Sequence, residues 1–256
     1  MLTFSLQSGS NGNCIYVEAG DVRLLFDAGI SGRQAEQRMA VHGRGIRDVT
    51  ALILSHEHAD HVRCAGIFQR KFGLPIYATT PTWRAVLRQP VSIGVVDDVR
   101  HFEGGGRIEF GDVIVHSVRT PHDAVDGCGF IVEHEGRRLG ILTDLGHPFG
   151  SLCRLMGELD AAYLESNYDP ERLAAGPYPP QLQARIRGNR GHLSNDEAGH
   201  LVRPHTTGRL RWVALAHLSE QNNDPGLALE THRQHVGRDF PVHVASRYGV
   251  SEIRIV

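Results

Sequence analysis

A mixed α/β (α+β) fold built from two similar halves is what the patterning of these 256 residues predicts. Short apolar, β-branched runs recur between turn residues, helical periodicity is interleaved with them in both halves, and glycine makes up about one residue in nine. In the first half the runs Leu2–Leu6, Ile15–Val17, Val22–Phe26, Ala51–Leu54, Ile76–Ala78, Val113–Val118 and Phe130–Val132 read as strands. Most are separated by Gly, Asp or Asn, as in a meandering sheet. Apolar residues at helical spacing mark Gly32–Val41, Asp60–Phe72 and Thr82–Leu87. The second half repeats the mixture. Strands are expected at Leu139–Leu142, Ala161–Leu164, Arg211–Leu215, Val242–Ala245 and Glu252–Val256, and helices at Phe149–Leu159, Pro179–Ile186, Ser194–Val202 and Pro225–Val236. No Pro/Ser-rich linker or repeat separates the halves, so residues 1–256 are expected to form one domain with pseudo-halves of roughly 1–135 and 136–256.

Composition excludes several classes. An apolar fraction of 41% and a charged fraction of 22% are ordinary globular values, which sets aside disorder, collagen and coiled coil. Lys+Arg 27 against Asp+Glu 29 gives a net charge of −2, so any site for a polyanion must be a local patch. The cysteines Cys14, Cys64, Cys128 and Cys153 are scattered without a C-x-x-C pair, as expected of buried free thiols in a reducing compartment. No secretory leader pattern and no apolar run of about 18 residues is visible, and the expectation is a cytoplasmic protein with no membrane association.

Histidine is the outlier, with sixteen copies. The run ALIL ends in S-H-E-H-A-D-H, residues 55–61, which places His56, His58, Asp60 and His61 within six residues. His56 and His58, two apart on extended chain, project to one side, where they can hold one cation. Asp60 and His61 follow at the start of a helix and turn toward a neighbouring position. Four polar side chains at a strand end, where a core would take Val or Leu, make sense only with a shared partner. Imidazole nitrogen with carboxylate oxygen suits zinc, manganese or iron better than calcium or magnesium.

H-x-H-x-D-H after a buried strand resembles the metallo-β-lactamase superfamily. The rest of that pattern is matched by Asp27 in L-L-F-D-A-G, His122 in R-T-P-H-D-A, Asp144 in I-L-T-D-L-G and His217 in A-L-A-H-L-S. The resemblance implies an αββα sandwich, two mixed sheets face to face with helices outside. It also implies two divalent ions, Zn²⁺ or Mn²⁺ with Fe as a further option. His56, His58 and His122 would hold one, Asp60, His61 and His217 the other, and Asp144 would bridge. Asp27 would orient a ligand rather than be one.

Two ions about 3.5–4 Å apart clamp the attacking and leaving oxygens of a phosphodiester, but such a site also suits a thioester, lactone or β-lactam carbonyl. The segment R-I-R-G-N-R-G-H-L-S-N-D-E-A-G, residues 185–199, biases the choice. Between Gln181 and Arg211 six arginines stand against Asp196 and Glu197, a local +4. Ser194 and Glu197 form the S-x-x-E pattern of a helix cap. G-H-L-S-N-D-E-A-G resembles the histidine motif of tRNase Z-like nucleases, in which this histidine faces the scissile phosphate. Together with S-G-S-N-G-N (8–13) and L-E-S-N-Y-D (164–169), the order of motifs resembles the bacterial YycJ/WalJ-like branch, which implies 5′→3′ exonuclease activity on double-stranded DNA.

The resulting expectation is a dinuclear metal-dependent phosphodiester hydrolase acting on nucleic acid. Asp60 would orient the nucleophile or take its proton, and His192 would donate a proton to the leaving oxygen. Arg190, Asn167 and Ser194 are the candidate substrate contacts. The rival readings are a small-molecule thioester, lactone or ester hydrolase of the same fold and an RNA-processing nuclease.

Overall fold

The computed structural model describes residues 1–256. In chain order the elements are β1 (Leu2–Gln7), β2 (Cys14–Ala19), β3 (Val22–Phe26), α1 (Gly32–Val41), β4 (Ala51–Ile53), α2 (Ala59–Val62), α3 (Ala65–Phe72), β5 (Ile76–Thr79), α4 (Thr80–Leu87), β6 (Val99–Phe102), β7 (Arg107–Phe110), β8 (Val113–Arg119), β9 (Cys128–His134), β10 (Arg137–Leu142), α5 (Gly150–Met156), β11 (Ala161–Glu165), α6 (Pro170–Ala175), α7 (Pro180–Arg187), α8 (Asn195–Val202), β12 (Trp212–Ala216), α9 (Pro225–Val236), β13 (Val242–Val244) and β14 (Arg254–Ile255). They make two mixed seven-stranded sheets with flanking helices, in the orders β14-β1-β2-β3-β4-β5-β6 and β13-β12-β11-β10-β9-β8-β7. No helix is long and apolar enough to cross a membrane. All four cysteines are free thiols; Cys14 and Cys128 are buried as expected, whereas Cys64 is half-buried and Cys153 exposed.

The chain divides into two compact units. Unit 1 comprises Met1–Arg119, Ala124–His134 and Ser246–Ile255. Its first three strands form an antiparallel meander, and β3, β4, β5 and β6 then run parallel, with Phe26 opposite Ile53. Phe4, Tyr16, Leu25, Leu52, Phe68 and Ile76 are fully buried in its core. Strand β9 closes on β3 through Phe130 and Phe26, whose ring centroids are 5.2 Å apart. Helix α1 starts at a reciprocal cap between Ser31 and Gln34, and α4 starts at the Thr79 side chain.

The helix expected over Asp60–Phe72 is two helices. Its ladder is interrupted because tertiary bonds take the groups it needs: Asp60 C=O accepts from Asn13 N–H at 2.8 Å, and Cys64 N–H donates to Ala28 C=O at 3.0 Å. The break ties the metal-competent segment to the loop after β1 and to the turn after β3.

Unit 2 comprises Thr120–Asp123, Glu135–Ala245 and Val256. Strands β10, β11, β12 and β13 are parallel, with Leu142 opposite Leu164 and Glu165 opposite Ala216. Every residue of β11 and β12 is buried, which explains why both are apolar apart from the terminal Glu165. Helix α8 has the reciprocal Ser194–Glu197 cap, and α6 and α9 begin at Asp169 and Asp224. The periodicity reading omits β6, β7 and α6. The two strands lie at sheet edges and span only four positions each, with two apolar residues apiece, so they carry too little apolar signal.

Candidate active site

In unit 1 the metal-competent side chains follow the C-terminal end of β4. His56 and His61 are buried, and His58 and Asp60 are half-buried. The His56 ring centroid lies 4.6 Å from that of His58 and 4.2 Å from that of His61. Beneath them sits Asp27, at the end of the adjacent parallel strand β3. Its Oδ1 accepts from Ser55 N–H at 2.8 Å, and its Oδ2 accepts from the Ser55 hydroxyl at 2.9 Å and from His61 Nδ1 at 2.7 Å. With its own proton on Asp27, the Ser55 oxygen faces His56 Nδ1 at 2.9 Å as an acceptor. Both buried imidazoles are therefore held at Nδ1 and present Nε2 as the lone-pair nitrogen, the state a divalent ion requires. Asn13 Nδ2 lies 3.1 Å from His61 Nε2 and 3.4 Å from Asp60 Oδ2, which brings the 8–13 loop to the same donors.

Unit 2 gathers its donors at the carboxyl ends of three neighbouring parallel strands: Asp144 follows β10, Glu165 ends β11 and His217 follows β12. Ligand atoms of Asp144, Glu165, His192 and His217 lie within 4.8 Å of one another. His122 Nε2 is 3.5 Å from Asp144 Oδ1, and its Nδ1–H donates to Gly191 C=O at 2.9 Å. Glycine is required at 191 by the close approach of the chain to the end of α7, since a Cβ there would stand 2.1 Å from Ile186 C=O.

Glu165, which the motif reading does not single out, is the hub. Its Oε1 accepts from His192 Nδ1 at 2.8 Å and from His217 Nδ1 at 2.9 Å, and its Oε2 from the N–H groups of Leu145 at 2.7 Å and Leu193 at 3.2 Å. Complete burial pushes its carboxyl up, but the His192 charge and the hydrogen bonds from both imidazoles outweigh this and hold it below the usual carboxylate range. Burial also keeps His122 below the ordinary histidine range, against the opposing pull of Asp144, and so favours the neutral ligand form.

The three candidate substrate contacts have definite places. Asn167 donates to His217 C=O at 2.8 Å, Arg190 donates from Nε and Nη2 to His122 C=O at 3.1 and 3.0 Å, and the Ser194 hydroxyl serves the α8 cap. Arg185 pairs with Asp123 at 2.5 Å on the surface.

Backbone conformation marks the same residues independently. Four non-glycine residues have positive φ, and three of them are Asp27 (66°), Asp144 (58°) and His217 (56°). Asp27 and His217 directly follow a strand and Asp144 lies two residues past one, and such conformations cost of order 1–3 kcal/mol. Buried imidazoles tethered at Nδ1, with carboxylates among them, form a donor set that fits zinc, manganese or iron.

Donors of this chemistry at the strand ends of mixed sheets define a class, and the chain belongs to it: residues 8–170 match the metallo-beta-lactamase superfamily. Within that superfamily the chain is 34% identical over 245 residues to the exodeoxyribonuclease YycJ of Bacillus anthracis, covering 93% of this chain and 92% of that one. It is 33% identical over 250 residues to the exodeoxyribonuclease WalJ of Streptococcus pneumoniae serotype 2, covering 94% and 93%. Its homologues are thus named exonucleases within this hydrolase superfamily. Among solved structures, the metallo-beta-lactamase fold protein YhfI of Bacillus subtilis matches with a TM-score of 0.74 at 16% identity, covering 98% of each chain.

Proposed function

We propose that residues 1–256 act as one catalytic domain that hydrolyses phosphodiesters of nucleic acid, degrading double-stranded DNA 5′→3′ in the cytoplasm. The observation that carries this reading is the Glu165–His192 pair. It consists of a half-exposed imidazole locked at Nδ1 by a buried carboxylate, directly after the arginine-bearing segment 185–190. The names of the YycJ and WalJ relatives support the same reading.

His56, His58 and His122 would hold one divalent ion, Asp60, His61 and His217 would hold the other, and Asp144 would serve both; zinc or manganese, with iron as a further option, suits these donors. Bound there, the ions lower the pKa of water and neutralise phosphate charge. Asp60 accepts the proton of the attacking water at its carboxylate. His192 donates from Nε2 to the leaving oxygen, because Glu165 fixes Nδ1–H in the other direction. Asp27 and Glu165 keep the histidines in the tautomer that presents Nε2. Arg190, Asn167 and Ser194 steady the backbone that carries these groups and face the substrate strand.

The test is cleavage of end-labelled duplex DNA, single-stranded DNA and RNA with Mn²⁺ or Zn²⁺, with Asp60→Ala as control. Mononucleotide release from the 5′ end of duplex DNA, lost in the control, is the expected result. Preferential cutting of RNA replaces the DNA reading, and no cleavage of any nucleic acid by protein carrying two ions per chain overturns it.

A further inference from the structure

Unit 1 contains a cavity of about 430 Å³, the size of a small-ligand pocket, that none of the catalytic roles above uses. Three guanidinium groups line it, those of Arg38, Arg63 and Arg247, and no Asp or Glu does. Arg38 hydrogen-bonds the Gln7 side-chain oxygen and Tyr248 C=O. Arg63 hydrogen-bonds Ala59 C=O at 3.2 Å and Asn11 C=O at 2.8 Å. All four acceptors are neutral, so these bonds orient the two cations and leave their charge uncompensated. Arg247 is buried to 9% exposure and lies against Gly9, where a Cβ would stand 2.9 Å from its Cγ. Guanidinium groups gathered around one cavity that no carboxylate lines favour an anion there.

Charge selects the anion. Three guanidinium groups match the nearly dianionic phosphate monoester better than the single charge of a backbone diester, and their planar forks suit phosphate oxygens. The position is equally specific. Arg63 comes two residues after His61, and Asn11 lines the cavity on the same loop whose Asn13 reaches His61 Nε2 and Asp60.

We propose that the Arg38–Arg63–Arg247 cavity receives the 5′-terminal phosphate monoester of the strand being degraded, beside the Asp60–His61 donors. The inference rests on the nuclease reading and deepens it, since a pocket that measures a strand end makes an endonuclease-like site exonucleolytic.

The test uses the full metal-loaded chain and duplexes whose terminal linkages are phosphorothioate, so that binding is read without cleavage. Dissociation constants are compared for 5′-phosphate, 5′-hydroxyl and 3′-phosphate ends at several salt concentrations, with deoxynucleoside monophosphate and inorganic phosphate as competitors. The expected result is about tenfold tighter binding of the 5′-phosphate end, as charge-assisted hydrogen bonds provide. Arg63→Gln and Arg247→Gln each reduce that preference to about threefold or less and lower the salt slope by about 1, with little change in 5′-hydroxyl affinity. Arg63 is exposed, so Arg63→Gln keeps the fold and the comparison stands even if Arg247→Gln does not. Equal affinity for all three ends overturns the proposal. So does competition by free nucleotide without any preference for phosphorylated strands, which assigns the cavity to product instead. A chain that prefers 5′-phosphate ends but cleaves no nucleic acid overturns the nuclease reading and leaves the pocket. Ready cleavage with no end preference does the reverse.

Discussion

In unit 1 four metal-competent side chains come from the six residues His56 to His61, whereas unit 2 collects His122, Asp144, Glu165, His192 and His217 from segments spread over about a hundred residues. The supports differ as well. Asp27 braces one histidine directly and a second through Ser55, while Glu165 braces two histidines and two backbone N–H groups with a single buried carboxylate. A local motif needs only one strand end to fix it. A dispersed set depends on the register of three parallel strands and concentrates its electrostatics in one group, so unit 2 is the more fragile of the two.

His192 has no counterpart in unit 1, and removing it sharpens the contrast most. His192→Ala is expected to lower kcat on DNA by about 10²–10⁴-fold with metal content unchanged, measured by steady-state cleavage beside elemental analysis. Metal lost in proportion to activity refutes the proton-donor role. Glu165→Gln tests the hub. It leaves two imidazoles and two N–H groups without their shared charge and is expected to cost about 3 kcal/mol in the denaturant midpoint and to abolish cleavage. Asp27→Asn in unit 1 is expected to keep the fold and weaken metal binding about 10–100-fold, read by chelator competition. If the two substitutions behave alike, the asymmetry between the units is wrong.

A pH scan separates the units without touching either donor set. His232 in unit 2 is buried, its Nε2 3.2 Å from the Ser166 hydroxyl, and burial, with the nearby His235 adding to it against Asp196, pushes it down from 6.5 to about 3. The unfolded chain therefore takes up this proton first. The contribution is fully present above about pH 6.5 and falls by about 1.4 kcal/mol per pH unit as the pH drops toward 3. Denaturant midpoints of His232→Gln should show a shallower acid slope than those of the parent. The smallest effect concerns the fourth positive φ. Glu135 (49°) and Gly136 (71°) form a two-residue turn after β9 that favours Asn-Gly, so Glu135→Asn is expected to stabilise by about 0.5 kcal/mol, far from the donors.

The same contrast sets what the sequence reveals. The HxHxDH run was legible because all its chemistry sits on one strand end. Asp144 and His217 stand out only through the superfamily pattern, although each follows an apolar run. Glu165 escaped because an acid ending A-A-Y-L-E looks like an ordinary strand terminus. Only the three-strand register shows that it meets two histidines. The break inside Asp60–Phe72 was invisible for a related reason: local periodicity supports one helix, and the bonds from Asn13 and to Ala28 that split it come from distant chain. Arg38 and Arg247 likewise meet Arg63 only after folding.

Unit 1 is not contiguous, for its sheet takes β14 against β1, and Ser8 N–H donates to Ser246 C=O. On a ribosome, which delivers the chain in order, this first unit must wait until residues 246–255 have been made. Arg247 is among them, so a nascent chain can hold the whole HxHxDH segment while its anion pocket still lacks a wall. The order of synthesis therefore completes the HxHxDH segment about 190 residues before the cavity lined by Arg38, Arg63 and Arg247 can close.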